Sequence, residues 1–148
     1  MILENFLIGV PVMLACLAIQ AFVTAWCVRY YVRQVRRVPL DDRLHAGIRP
    51  LLIALVAMML GTMVQVVSWG VLFLFLGEFS ELYEAVYHSA VNFTSLGYGD
   101  VVMSKRWKLL GPLEAANGVL MFALTGAALM AILQQLVQAQ LSKQRANP

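Results

Sequence analysis

The sequence predicts an all-α membrane protein: three transmembrane helices, with a short re-entrant helix and loop before the last of them. Three observations predict it. Of 148 residues, 61% are hydrophobic and 13% charged, and the mean hydropathy is +0.75, far too apolar for a soluble domain of this size. Three runs carry no charge, 6–28, 51–76 and 115–141, although glutamines make the end of the last one polar. Each reaches the roughly 20 residues that a helix rising about 1.5 Å per residue needs to cross the hydrocarbon. A fourth, 83–93, is too short to cross and leads into two glycines within three residues, so it reads as re-entrant.

The first run has no basic stretch ahead of it, only Glu4, and Trp26 and Cys27 stand where a signal peptide needs small residues. It is expected to be a retained helix. Cys16 and Cys27 lie in this run without CxxC spacing, which argues for packing residues and against a disulfide framework or a metal site. Next comes the main charged segment, Arg29, Arg33, Arg36, Arg37, Arg43 and Arg49 against Asp41 and Asp42, with Pro39 and His45. The positive-inside rule puts it in the cytoplasm of a cell membrane, which leaves the N-terminus outside and brings the tail, with Lys143 and Arg145, back to the cytoplasm. The arginines follow the span instead of lying within it, so they read as headgroup anchors and not as a voltage sensor. Although Lys and Arg number 11 against 8 acids, they cluster beside apolar runs, so nucleic-acid binding has no support.

The chain divides by this reading into a first helix and basic loop (1–49), a pore domain (50–141) and a tail (142–148). In the second span, Gly61, Thr62, Ser68 and Gly70 suit close helix packing, Gln65 requires a partner, and Trp69 is expected toward the interface. Glu78, Glu81 and Glu84 precede or begin the re-entrant helix, where acids meet its partial positive charge, and Ser80 is the expected N-cap. Its other end then points partial negative charge at the following loop, which favours a cation there. Lys105, Arg106, Trp107 and Lys108 form an interfacial anchor, and Pro112 is tolerated in the first turn of the last span. Glu114 is out of place near the top of that span, and is expected to pair, protonate or hydrogen-bond to Asn92, Thr94 or the loop backbone. His88 reads as a hydrogen-bonded structural residue, with a pH response as the sharper alternative.

The loop itself is Thr94-Ser95-Leu96-Gly97-Tyr98-Gly99-Asp100. This heptapeptide, at the end of an apolar half-helix between two spans, resembles the tetrameric potassium-channel superfamily, more closely its small pore-only bacterial members, over about 82–133. The resemblance implies a homotetramer in a lipid bilayer, conducting K+ passively, with Ser95, Leu96, Gly97 and Tyr98 as carbonyl donors to K+ and Thr94 and Gly99 flanking them in the filter. It implies that Asp100 is braced by Tyr87 and that His88 stands where an aromatic supports Tyr98. Ser95 replaces the usual threonine and Leu96 the usual valine, and the acid some members carry at the Val91 position is absent. Gly118 resembles the inner-helix glycine ahead of the gate, one residue nearer the filter than is common, and Phe122, Gly126 and Met130 fall where that helix lines a cavity. Gly118 and Gly126 are read either as hinges or as close-packing sites.

The alternatives are a weakly selective monovalent cation channel and a nonconducting accessory membrane protein. No nucleophile stands beside a base, and HExxH and phosphate-binding glycine loops are missing, so no enzyme, cofactor or small-molecule substrate is expected.

Overall fold

The computed structural model describes residues 1–36 and 43–146, without the side chains of 36, 43–46, 136 and 139–146. Arg37, Pro39, Asp41 and Asp42 lie outside the described residues, as do the side chains of Arg36, Arg43, His45, Lys143 and Arg145. Among the described residues four helices follow one another: α1 (Ile2–Arg36), α2 (Arg43–Phe75), α3 (Leu82–Phe93) and α4 (Leu110–Ala146). Among the described residues there is no strand. Three segments are long and apolar enough to cross a membrane, Ile2–Val35, Gly47–Phe75 and Leu110–Gln135, with mean hydropathies of 2.4, 2.2 and 1.9. The 12-residue α3 is the short helix between the second and third of these.

The long helices overrun the apolar runs. α1 continues through Arg29 and Arg33, α2 starts well before residue 51 and carries Pro50 inside it, and α4 passes residue 141. Hydropathy marks where the bilayer would be, whereas a nucleated helix goes on for as long as each residue adds a bond, and Arg, Gln and Lys are good helix formers. Several of the basic residues assigned to a loop are therefore helical.

Two compact units arise from these helices. One contains 1–20 and 61–122, and its core gathers Cys16 of α1, Trp69 and Phe73 of α2, Phe93 of α3 and Met121 of α4. Trp69 is fully buried there. Its indole packs on Phe73, ring centroids 5.8 Å apart, because the face it occupies is the one covered by α1. Gln65 finds its partner in the same unit, donating to Gln20 Oε1 at 2.8 Å, and this buried amide pair fastens α1 to α2. The other unit contains 21–60 and 123–148, with a core of Cys27 and Tyr31 of α1, Ala54 and Met58 of α2, and Ala128 and Ile132 of α4. Both cysteines are free and buried.

Candidate functional site

The site is built at the C-terminal end of α3. Ala85, His88, Ser89, Val91 and Phe93 are its buried residues, and α2 can lie against it because Gly70 has no side chain: a Cβ there would stand 2.9 Å from Val86 Cα. At the start of α3 the N-cap is Glu81, in extended conformation and without a side-chain cap bond, so Ser80 does not cap the helix. At its end three of the last four carbonyls accept hydrogen bonds from the residues that follow. Thr94 N–H bonds to Ala90 O at 3.1 Å, Ser95 N–H to Asn92 O at 2.8 Å and Leu96 N–H to Val91 O at 3.0 Å, while Phe93 O rests against Gly118 of α4, where any Cβ would strike it. The two bonds from Ser95 and Leu96 are those of a Schellman cap, which requires a left-handed residue at Ser95.

Ser95 has φ 59°, and Gly97 and Gly99 follow with φ 60° and 73°. Leu96 and Tyr98 are not left-handed, so the sign of φ alternates through five residues. In an ordinary strand φ is negative throughout and successive carbonyls point to opposite sides. Alternation turns every second peptide over, so the carbonyls can line one side. Glycine takes this conformation freely, whereas Ser95 stores about 1–2 kcal/mol. Residues 94–100 are all exposed on the subunit, with Leu96 and Tyr98 at 57% and 65%. The Thr94 hydroxyl turns back to Ala90 O at 2.6 Å, so it serves the helix end and not Glu114.

Side chains hold the segment after this loop. Tyr87 donates its hydroxyl to Asp100 Oδ2 at 2.7 Å. That bond holds the Asp100 carboxyl below its ordinary value and raises the Tyr87 phenol. His88 Nδ1 lies 2.9 Å from Val101 O and Nε2 lies 2.8 Å from Asn92 Nδ2. A carbonyl only accepts and an amide nitrogen only donates, so Nδ1 carries the proton and the ring is neutral. Burial pushes its pKa down, with the Val101 carbonyl acting against that. Phe73, edge-on, and Phe79, tilted, with centroids 5.7 and 5.1 Å away, fill the space around the ring. Within the subunit the two ring nitrogens of His88 thus serve the Val101 carbonyl and the Asn92 amide.

Two further ties were not legible in the sequence. Glu78 accepts from both the backbone N–H and the hydroxyl of Ser104, and Asn5 donates to Arg106 O at 2.9 Å beside the Arg106–Glu4 ion pair. Each joins residues far apart in the chain, and an acid on a loop or an Asn in a first turn gives no sign of its partner. Glu114 is fully buried, and its partner is Ser89, whose Oγ lies 2.5 Å from Oε1 and 2.7 Å from Val66 O. The sign of Ser89 in the sequence is a hydroxyl in the middle of an apolar half-helix. Below, Phe122 meets Phe93 edge to face at 5.9 Å. Phe122, Gly126 and Met130 are all exposed on the subunit.

A family model described as an ion channel matches residues 54–135, from within α2 to within α4 and just over half of the chain. No curated protein and no solved structure matches the chain.

Proposed function

Because the chain belongs to the pore-loop cation channel superfamily, through an ion channel family that covers residues 54–135, we propose that it is the subunit of a homotetrameric channel conducting K+ down its gradient. The observation that carries this reading is the alternation of φ from Ser95 to Gly99 directly after the capped end of α3. Four such loops around one axis would present their carbonyls inward and replace the water of a dehydrated cation. The Ser95 hydroxyl would close the innermost site, and Leu96 and Tyr98 would point away from the axis to pack between subunits. Their exposure on a single chain supports that assembly, as an isolated subunit leaves such side chains uncovered. Phe122, Gly126 and Met130 would line the cavity beneath. The basic loop would face the cytoplasm and the segment 77–108 the outside.

Rigidity and field strength of the filter both set selectivity. Tyr87–Asp100, His88–Val101 and Glu78–Ser104 hold the outer end of the loop at three places, which supports a stiff filter and K+ selectivity. Ser95 and Leu96 favour the second reading, a channel admitting several monovalent cations. Reconstituted protein decides between them: a K+ channel gives K+ flux far above Na+ flux, lost in Gly97→Ala tetramers. Equal fluxes leave the weakly selective channel. Absence of both tetramers and flux overturns the proposal.

A further inference from the structure

Ser89 lies five residues ahead of Thr94 on α3 and is wedged between α2 and α4, with both it and Glu114 at 0% exposure. Its oxygen is in hydrogen-bond range of two oxygens, Val66 O and Glu114 Oε1. A hydroxyl has one hydrogen, and the Val66 carbonyl can only accept. If Ser89 gives that hydrogen to Val66, the one on the other contact must come from Glu114.

The ionised alternative fails on its surroundings. A carboxylate here would have the Ser89 hydroxyl and, beside it, the neighbouring Asn92 amide, with no hydrogen bond of ordinary geometry on Oε2. Among the described residues, the polar and titratable groups facing this region are Cys16 from α1, Trp69 and the Val66 carbonyl from α2, Ser89 and Asn92 from α3, and Asn117 from α4. None is a cation. A buried charge with neither a counter-ion nor a full set of donors is strongly disfavoured.

We propose that Glu114 is held as the uncharged acid, donating to Ser89, which donates to Val66, and that this relay is a positioning device fastening α4 and α2 to the helix that carries the filter. The relay rests on the channel reading for its functional consequence but not for its proton. Movement of α4 reaches the filter through it, since Ser89 and the filter share one rigid helix. Glutamine can keep the donor at this position, while alanine cannot.

The test uses the full chain in liposomes. Infrared difference spectra of the wild type against Glu114→Gln are expected to show a protonated carboxylic C=O band at neutral pH, absent from the variant. K+ over Na+ flux is expected to fall about tenfold, the worth of one buried hydrogen bond, in both Glu114→Ala and Ser89→Ala. The double variant is expected to lose no more than either, and Glu114→Gln to restore the ratio. A spectrum with carboxylate bands alone overturns the proposal, as does an unchanged ratio in folded Glu114→Ala or Ser89→Ala tetramers. If the wild type carries no K+ the channel reading fails, and the infrared band still decides the proton. If Glu114→Ala fails to fold, Ser89→Ala and the spectrum of Glu114→Gln decide it.

Discussion

Replacing Gly118 by alanine tests how the end of α3 is seated. The new Cβ would overlap the Phe93 carbonyl oxygen and stand 2.8 Å from Phe93 C and 3.1 Å from Phe93 Cδ1. Two of the three atoms are backbone, and the peptide that carries the Phe93 carbonyl is tied through Thr94 N–H to Ala90 O, with the preceding peptide held through Asn92 O by Ser95 N–H, so they cannot turn aside. α4 must back away from α3, drawing with it Glu114, one turn earlier on the same helix. Overpacking of this kind costs about 1–3 kcal/mol, and backbone meeting backbone puts Gly118→Ala at or above the upper end. Alanine's better helix propensity returns about 1 kcal/mol. The net is a loss of about 2 kcal/mol, or about thirtyfold in the ratio of folded to unfolded protein. Gly126→Ala is the control, as a Cβ there meets nothing within 4 Å in the subunit. Denaturant or thermal unfolding in detergent should show Gly118→Ala less stable than the wild type and Gly126→Ala not destabilised, and flux should fall in the first. Equal stability of Gly118→Ala and the wild type would refute the close approach of Phe93 to α4, and a hinge role for Gly118 would then regain its standing.

Three other outcomes follow from the same geometry. Acidification should weaken the folded state through His88: its folded pKa lies below its unfolded one, so the unfolded chain binds more protons, and the stability present above about pH 6.5 is lost as pH falls below it. His88→Gln should flatten that limb of the stability against pH curve, and an unchanged limb would count against a buried neutral ring. Tyr87→Phe removes the one side-chain donor to Asp100 among the described contacts, and should lower the K+ over Na+ flux ratio while tetramers persist on native gels. Ser95→Gly should relieve left-handed strain of about 1–2 kcal/mol and raise thermal stability, while ion selectivity changes with the loss of the hydroxyl; a drop in stability would contradict the φ reported for Ser95.

Much of the architecture was legible because hydropathy acts over windows long enough to average out individual residues. The three spans, the short helix before the loop and the order of these elements follow from where charge is absent. Helix ends were less legible, as the overrun of α1 through Arg29 and Arg33 shows, because propensity and not hydropathy sets them. The heptapeptide marked the site. Tyr87 does meet Asp100, and Asn92 is beside Glu114, but the contacts of His88 with Val101 and of Glu114 with Ser89 were not legible, because no local pattern distinguishes those partners from their neighbours.

What the sequence by itself determined is that three lengths of chain prefer hydrocarbon to water and that one loop is able to alternate its backbone handedness, since both are properties of a few adjacent residues. Only the tertiary structure decided that Gly118 is a seat for Phe93 O, that Trp69 is buried under α1, and that the lone acid of α4 meets a serine of α3. Those are encounters between segments distant in the chain, and their outcome depends on how helices rotate and slide to pack, which no short window of residues encodes.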